Sequence, residues 1–255
     1  MRLLGSTGLR VSVVGLGTVK FGRLRGLKYA VGERLPSDGE IAELLGVASE
    51  LGINVLDTAP AYGSSEERLG AYFRGAGGVA RDRWVLMTKA GEEFDGERSS
   101  FDFSPRGIRG SLERSLVRLG TDRLDVVLLH SDGEMELDPK REEAMGELRS
   151  LQREGKIVAV GASTKSIDGG RWAVERGDVA MLTLNSAERG DLGAIGLAAS
   201  LGRGVVVKKA LGSGAAAGVS AGEAVAAVVR TVGVSSVIVG TTSPAHLRQN
   251  VGGLE

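Results

Sequence analysis

The sequence predicts a (β/α)₈ barrel. Eight short apolar, β-branched runs recur along the 255 residues, helical patterns alternate with them, and no Pro/Ser-rich linker interrupts the alternation. The length suits one barrel, so a single domain over residues 1–255 is expected. The alternative is an open doubly wound sheet. Its G-x-G-x-x-G fingerprint after the first strand is missing, because Gly15, Gly17 and Gly22 do not have that spacing.

The strands are expected at Val11–Leu16, Asn54–Asp57, Trp84–Thr88, Leu124–Leu129, Ile157–Gly161, Met181–Leu184, Gly204–Lys208 and Ser236–Val239. Val126, Val127, Leu128 and Leu129 are apolar on both faces, as strands covered by helices should be. The stretch Arg2–Arg10, with Gly5 and Gly8, reads as an extra N-terminal hairpin closing the bottom of the barrel.

Ile41, Leu44, Leu45, Ala48 and Leu51 fall at helical spacing behind a Ser37/Glu40 capping box. Ser64 and Glu67 read as a second box. Ser104 before Pro105 opens a helix carrying Ile108, Leu112, Leu116 and Leu119. Ala144, Met145, Leu148 and Leu151 mark the next, and later helices are expected at Ile167–Arg176, Asp191–Leu201, Ala221–Val232 and Ser243–Val251. The segment Ala90–Phe103 reads as a loop whose Phe94, Phe101 and Phe103 either line a pocket or pack beneath it.

Lys+Arg and Asp+Glu both number 32, so there is no global field for nucleic acid or an anionic membrane. With no cysteine there is no disulfide and no thiolate ligand or nucleophile. With only His130 and His246, a multi-histidine metal site is not expected. No apolar run reaches a membrane span and Met1–Gly5 opens no signal peptide, so a cytoplasmic protein is expected.

A barrel places its chemistry at the C-terminal ends of its strands. There stand Asp57 with Tyr62 close behind, Lys89, His130, and Ser163-Thr164. A tyrosine is a weak acid near neutral pH, and a nearby ammonium favours its phenolate. Lys89 can supply that ammonium, with Asp57 as its counter-charge. Tyr62 then becomes a usable general acid for a developing alkoxide, and His130 can hydrogen-bond to the same oxygen. No side chain supplies hydride, so a cofactor must. Alone, each residue has a plainer role: Asp57 a helix cap, Lys89 a solvated strand end, Tyr62 rim packing, His130 a satisfied loop residue.

These residues lie in segments that resemble the aldo-keto reductase family. The resemblance rests on Gly52-Ile53-Asn54-Val55-Leu56-Asp57-Thr58-Ala59 followed by Tyr62-Gly63-Ser64-Ser65-Glu66, on Leu116–Leu119 leading through Asp125 to His130, and on Gly155-Lys156-Ile157 leading to Gly161. It implies a catalytic set of Asp57, Tyr62, Lys89 and His130, and hydride transfer between a nicotinamide and a carbonyl carbon. It further implies that Gly17 and Thr18 lie near the nicotinamide and that Ser163 binds its carboxamide. Thr164 stands where the family has asparagine, Met181 where it has glutamine, and Lys208 where it often has a stacking tyrosine.

The same resemblance assigns Ala210, Leu211, Gly212 and Gly214 to a loop over the pyrophosphate. It assigns Gly240, Thr241 and Thr242 to a phosphate corner at the start of the last helix, where an N-terminus favours anions. His246 falls where many members carry an arginine for the 2′-phosphate, and Gln249 and Asn250 match residues that contact the adenine. NADP is the expected cofactor, with NAD the alternative. The expected substrate is a small aldehyde, ketone or aldose. Two rival readings stand beside this one: a nicotinamide-binding sensor without turnover, and a lyase forming a Schiff base on Lys89.

Overall fold

The computed structural model describes residues 1–26, 34–75, 81–212 and 219–254. It opens with an antiparallel hairpin of β1 (Arg2–Leu3) and β2 (Arg10–Val11). Then follow β3 (Val14–Gly17), α1 (Val19–Gly22), α2 (Asp38–Glu50), β4 (Val55–Asp57), α3 (Ser65–Arg74), β5 (Val85–Ala90), and a second hairpin of β6 (Glu92–Phe94) and β7 (Ser99–Phe101). The rest alternates: α4 (Pro105–Leu119), β8 (Leu124–His130), α5 (Arg141–Arg153), β9 (Ile157–Ser163), α6 (Ile167–Arg176), β10 (Val179–Thr183), α7 (Leu192–Ser200), β11 (Gly204–Lys208), α8 (Ala221–Val229), β12 (Ser236–Gly240) and α9 (Pro244–Gly252).

Eight of these strands form a closed parallel barrel in the order β3-β4-β5-β8-β9-β10-β11-β12, with β12 pairing back onto β3. The expected barrel is therefore the observed one. The N-terminal hairpin plugs its bottom: Leu4 and Val11 pack with Val55, Val85, Val126, Ala159 and Val179 inside the barrel. Outside, the strand residues of opposite parity pack against the helices in a larger core.

Alternation along each strand then decides what lines the mouth. Val55, Met87, Leu128, Met181 and Val206 point inward. The inward position two residues further on is Asp57, Lys89, His130, Thr183 and Lys208 in turn. On β9, Ala159 leads by the same count through Gly161 to Ser163. Gly17 and Gly240, paired across β3 and β12, bring no side chain of their own to that side of the mouth. A Cβ on Gly240 would meet nothing within 4 Å.

Several expected boundaries shift. Val11 belongs to the hairpin, and the barrel strand begins at Val14. Ser12 causes the break: its N–H donates to Asn54 Oδ1 (2.7 Å) and its hydroxyl to the Val14 carbonyl (2.6 Å), so side chains replace the ladder there. The strand expected at Met181–Leu184 runs from Val179 to Thr183, in register with Gly161 and Gly204. The helix expected to reach Val232 ends at Val229.

The Ser37/Glu40 box forms in full, and Ser104 caps Pro105–Leu119 through Gly107 N–H. The Ser64/Glu67 box does not form. Ser64 has near-helical backbone angles and makes no side-chain cap, because its hydroxyl cannot fold back from that conformation. The segment expected as a loop after Ala90 is the β6–β7 hairpin, turned at Asp95-Gly96. Asp95 Oδ1 accepts from the N–H groups of Glu97 and Arg98 there. Phe101 stacks on Phe103, and Arg23 lies over the Phe94 ring.

Candidate functional site

The structure brings Asp57, Tyr62, Lys89 and His130 together at the C-terminal mouth of the barrel. Lys89 Nζ donates to Asp57 Oδ1 (2.6 Å), to the Thr58 carbonyl (3.0 Å) and to Tyr62 Oη (3.0 Å). All three ammonium protons are thereby engaged. Burial alone would lower the Lys89 pKa. The Asp57 charge and the Tyr62 oxygen outweigh it and hold the pKa above the ordinary lysine value. Lys89 is therefore a fixed ammonium without a lone pair to attack a carbonyl, which counts against a Schiff base on it. His130 meets the Tyr62 ring edge to face, with centroids 6.1 Å apart.

Local structure explains why Tyr62 stands there. Pro60–Tyr62 forms a single 3₁₀ turn after β4, ending at Gly63 with φ +60°. A Cβ on Gly63 would lie 2.2 Å from the Gly22 carbonyl oxygen, so the turn packs against α1 with no room for a side chain. Beneath it, the buried Glu66 of α3 accepts from Thr88 Oγ1 at 2.6 Å, and burial pushes its carboxyl pKa up.

Thr18 is fully buried. Its N–H and hydroxyl both donate to the Asp57 carbonyl (2.9 and 3.0 Å), and its Oγ1 lies 2.8 Å from Ser65 Oγ. Its polar atoms thus tie the end of β4 to β3.

On the opposite wall, the structure joins three further residues. Lys208 Nζ donates to Ser163 Oγ (2.9 Å) and to the Thr164 carbonyl (2.6 Å). Burial first, then the charges of Lys209 and Lys89, bring the Lys208 pKa down to about 7. Thr164 is 1% exposed, and its Oγ1 has no hydrogen-bond partner among the described residues. Met181 lies inside the barrel, paired with Ser163, and brings no hydrogen-bonding group there.

After β11, Lys209 takes a left-handed backbone (φ +58°) and its carbonyl accepts from Gly212 N–H. Ala210 is buried, while Leu211 and Gly212 are half-buried; Gly214 lies outside the described residues. At β12, Gly240 is exposed and Thr241 accepts from Ser243 N–H. Thr242 is half-buried beside Ser243, which caps α9 through His246 N–H. His246 and Gln249 are exposed and Asn250 is buried.

The sequence reading missed Glu92. It lies on β6 with Oε2 2.9 Å from His130 Nδ1. Ser99 Oγ donates to its other oxygen (2.5 Å), and Arg23 Nη1 lies 3.6 Å from that oxygen. Burial works against this carboxylate, yet His130, Ser99 and Arg23 together hold its pKa down to about 2. The Asp95-Gly96 pair is a hairpin signal that could have placed Glu92 beside the mouth. Among the described residues no cluster suits a metal ion, and no helix is long and apolar enough to cross a membrane.

The mouth combines a phenol backed by a buried ammonium, an imidazole at its ring edge, and a buried threonine hydroxyl with no partner among the described residues. A nicotinamide dinucleotide fits these donors. Thr164 Oγ1 offers an unused hydrogen bond, and Gly240 leaves open space at the start of α9.

A family model described as "Aldo/keto reductase family" matches residues 13–224. D-threo-aldose 1-dehydrogenase of Pseudomonas sp is 32% identical over 199 residues, covering 69% of this chain and 57% of that protein. L-galactose dehydrogenase of Arabidopsis thaliana is 34% identical over 178 residues, covering 69% and 52%. An NADH-specific methylglyoxal reductase of Escherichia coli is 29% identical, covering 69% and 55%. The chain thus spans about half the length of these curated relatives. Among solved structures, a Pseudomonas aeruginosa protein assigned to the aldo-keto reductases shares 47% identity with TM-score 0.87, covering 99% of this chain and 93% of that one. An aldo-keto reductase from Bacillus halodurans, at 23% identity and TM-score 0.82, covers 100% and 90% and shares the fold.

Proposed function

The chain belongs to the aldo/keto reductase family, and from that premise we propose that it reduces a small aldehyde or ketone with NAD(P)H, or oxidises the matching alcohol or aldose. The carrying observation is the Asp57–Lys89–Tyr62 chain of hydrogen bonds, 2.6 and 3.0 Å long, at the barrel mouth.

The substrate oxygen sits between Tyr62 Oη and His130. Tyr62 gives its proton to that oxygen as alkoxide character develops, and the Lys89 ammonium 3.0 Å away stabilises the phenolate left behind. Asp57 keeps Lys89 charged and in place. In the reverse direction Tyr62 takes the alcohol proton by the same path. The nicotinamide, when bound, supplies or accepts the hydride at the carbonyl carbon.

Ser163, Thr164 and Lys208 would hold the nicotinamide end, with Gly17 on the facing strand; Thr18, fully buried and bound to Asp57 and Ser65, fixes the end of that strand instead of meeting the cofactor. Ala210–Gly212, Gly240–Thr242, His246, Gln249 and Asn250 would hold the phosphates and adenosine. NADP is the preferred partner in this reading, through the hydroxyls of Thr241 and Thr242 and a His246 that bonds a 2′-phosphate best when protonated. NAD is the alternative, and the Escherichia coli relative is named for NADH. Small aldehydes and aldoses are the proposed substrate class, supported by the names of the aldose and methylglyoxal enzymes.

The test mixes the protein with NADPH, and separately NADH, over a panel of small carbonyls and aldoses, beside Tyr62→Phe. Carbonyl-dependent cofactor oxidation that falls about 10²–10⁴-fold in the variant is expected. Cofactor binding with no turnover on any substrate would replace this reading with a sensor role.

A further inference from the structure

The protonation of His130 decides which hydrogen bonds its ring can make. A neutral imidazole carries one proton on two nitrogens, so the partner of one nitrogen dictates the character of the other. Among the described residues, Glu92 from β6 and the Tyr62 ring lie against the imidazole, and Lys89 from β5 and Lys208 from β11 act on it through their charges. Lys89, and Lys208 in its charged form, disfavour the imidazolium, and Glu92 favours it. Burial is the largest influence and leaves the His130 pKa below the ordinary histidine value.

Glu92 is built to serve one nitrogen. Its Oε2 lies 2.9 Å from Nδ1, and His130 and Glu92 side chains are only 17% and 12% exposed. At this distance the two atoms make an ion-pair approach that is not an aligned ring hydrogen bond. Glu92 itself is held from behind by Ser99 Oγ and by Arg23, whose Nη1 also donates to the Ala61 carbonyl, one residue before Tyr62.

We infer that Glu92 is a positioning residue for His130: it takes the proton on Nδ1 and so makes Nε2 the nitrogen that meets the substrate oxygen. With the ring neutral, Nε2 carries a lone pair and offers no proton to the substrate oxygen. With the ring protonated, Nε2 donates to a carbonyl oxygen. Glu92 therefore keeps the carbonyl-binding form within reach although burial opposes it.

The inference rests on the proposed oxidoreductase reading, but its test does not use turnover. The chain has only two histidines, so ¹⁵N imidazole spectra of the unliganded protein resolve His130 against His246. The neutral His130 ring in the wild type is expected to carry its proton on Nδ1. In Glu92→Gln its proton affinity should fall roughly tenfold, a drop of about one pH unit in midpoint. In Ser99→Ala, which keeps the carboxylate but loosens it, a smaller drop in the same direction is expected. A wild-type ring protonated on Nε2 would overturn the inference without any variant. So would a His130 midpoint unchanged in Glu92→Gln.

Discussion

Asp57 Oδ1 and Lys89 Nζ are 2.6 Å apart, with the two side chains only 7% and 1% exposed. A pair this deep is costly to break from one side, because the remaining charge has no water to turn to. Lys89→Met should destabilise the protein by about 3–5 kcal/mol, whereas the double variant Asp57→Asn/Lys89→Met should lose clearly less than the sum of the two singles. Urea unfolding of the three variants reads both quantities. Strict additivity would mean the two charges do not support each other.

This pair was legible in the sequence because strand parity carries side-chain direction. Once Val55 and Met87 face inward, Asp57 and Lys89 must follow at the mouth. The barrel, the plugging hairpin and the grouping of Asp57, Tyr62, Lys89 and His130 follow from such local patterns. Glu92 did not, because its meeting with His130 joins a short hairpin to a strand ending 38 residues later, and no periodicity reports that distance. The bond from Lys208 to Ser163 and Thr164 was hidden for the same reason. Substitutions read one at a time did not show that the lysine reaches across β10 to the serine. The Ser64/Glu67 pattern misled because composition cannot reveal that Ser64 has the wrong backbone angles.

Thr164 offers a test in which stability and binding move in opposite directions. Its Oγ1 is buried without a partner, a state that costs about 1–3 kcal/mol. Thr164→Val keeps the shape and removes that cost, so the unliganded variant should be as stable as the wild type or about 1 kcal/mol more so. If the hydroxyl serves the dinucleotide, affinity should fall by about 0.5–1.5 kcal/mol, or roughly 2–13-fold. Thermal unfolding and cofactor titration measure the two. A stability loss with unchanged affinity would remove Thr164 from the binding site.

Lys208 should make stability depend on pH in a defined window. Folding lowers its pKa from 10.5 to about 7, so between those values the unfolded chain binds a proton that the native state does not. Stability therefore rises with pH across this range, and the cost is complete below about 7. Lys208→Met removes the cost. Its gain over wild type should grow as pH is lowered toward 7 and level off beneath it, as read from urea midpoints at successive pH values. A gain independent of pH would mean that Lys208 keeps its ordinary pKa in the fold.

Gly63 ties backbone geometry to the position of Tyr62. It has φ +60° and ψ −125°, and an added Cβ would fall 2.2 Å from the Gly22 carbonyl oxygen. Gly63→Ala therefore meets both strain and a backbone clash, and the turn carrying Tyr62 must shift to relieve them. Gly8 gives the control: it also has positive φ, on the bottom hairpin, but a Cβ there meets nothing within 4 Å. Both alanine variants should lose stability, Gly8→Ala by about 1 kcal/mol from strain alone. Only Gly63→Ala should also lose activity, by roughly 10²-fold, because Tyr62 moves off the line between Lys89 and the substrate oxygen. Equal activity in the two variants, measured well below their melting temperatures, would show that the Tyr62 turn tolerates displacement and that its packing against Gly22 serves stability alone.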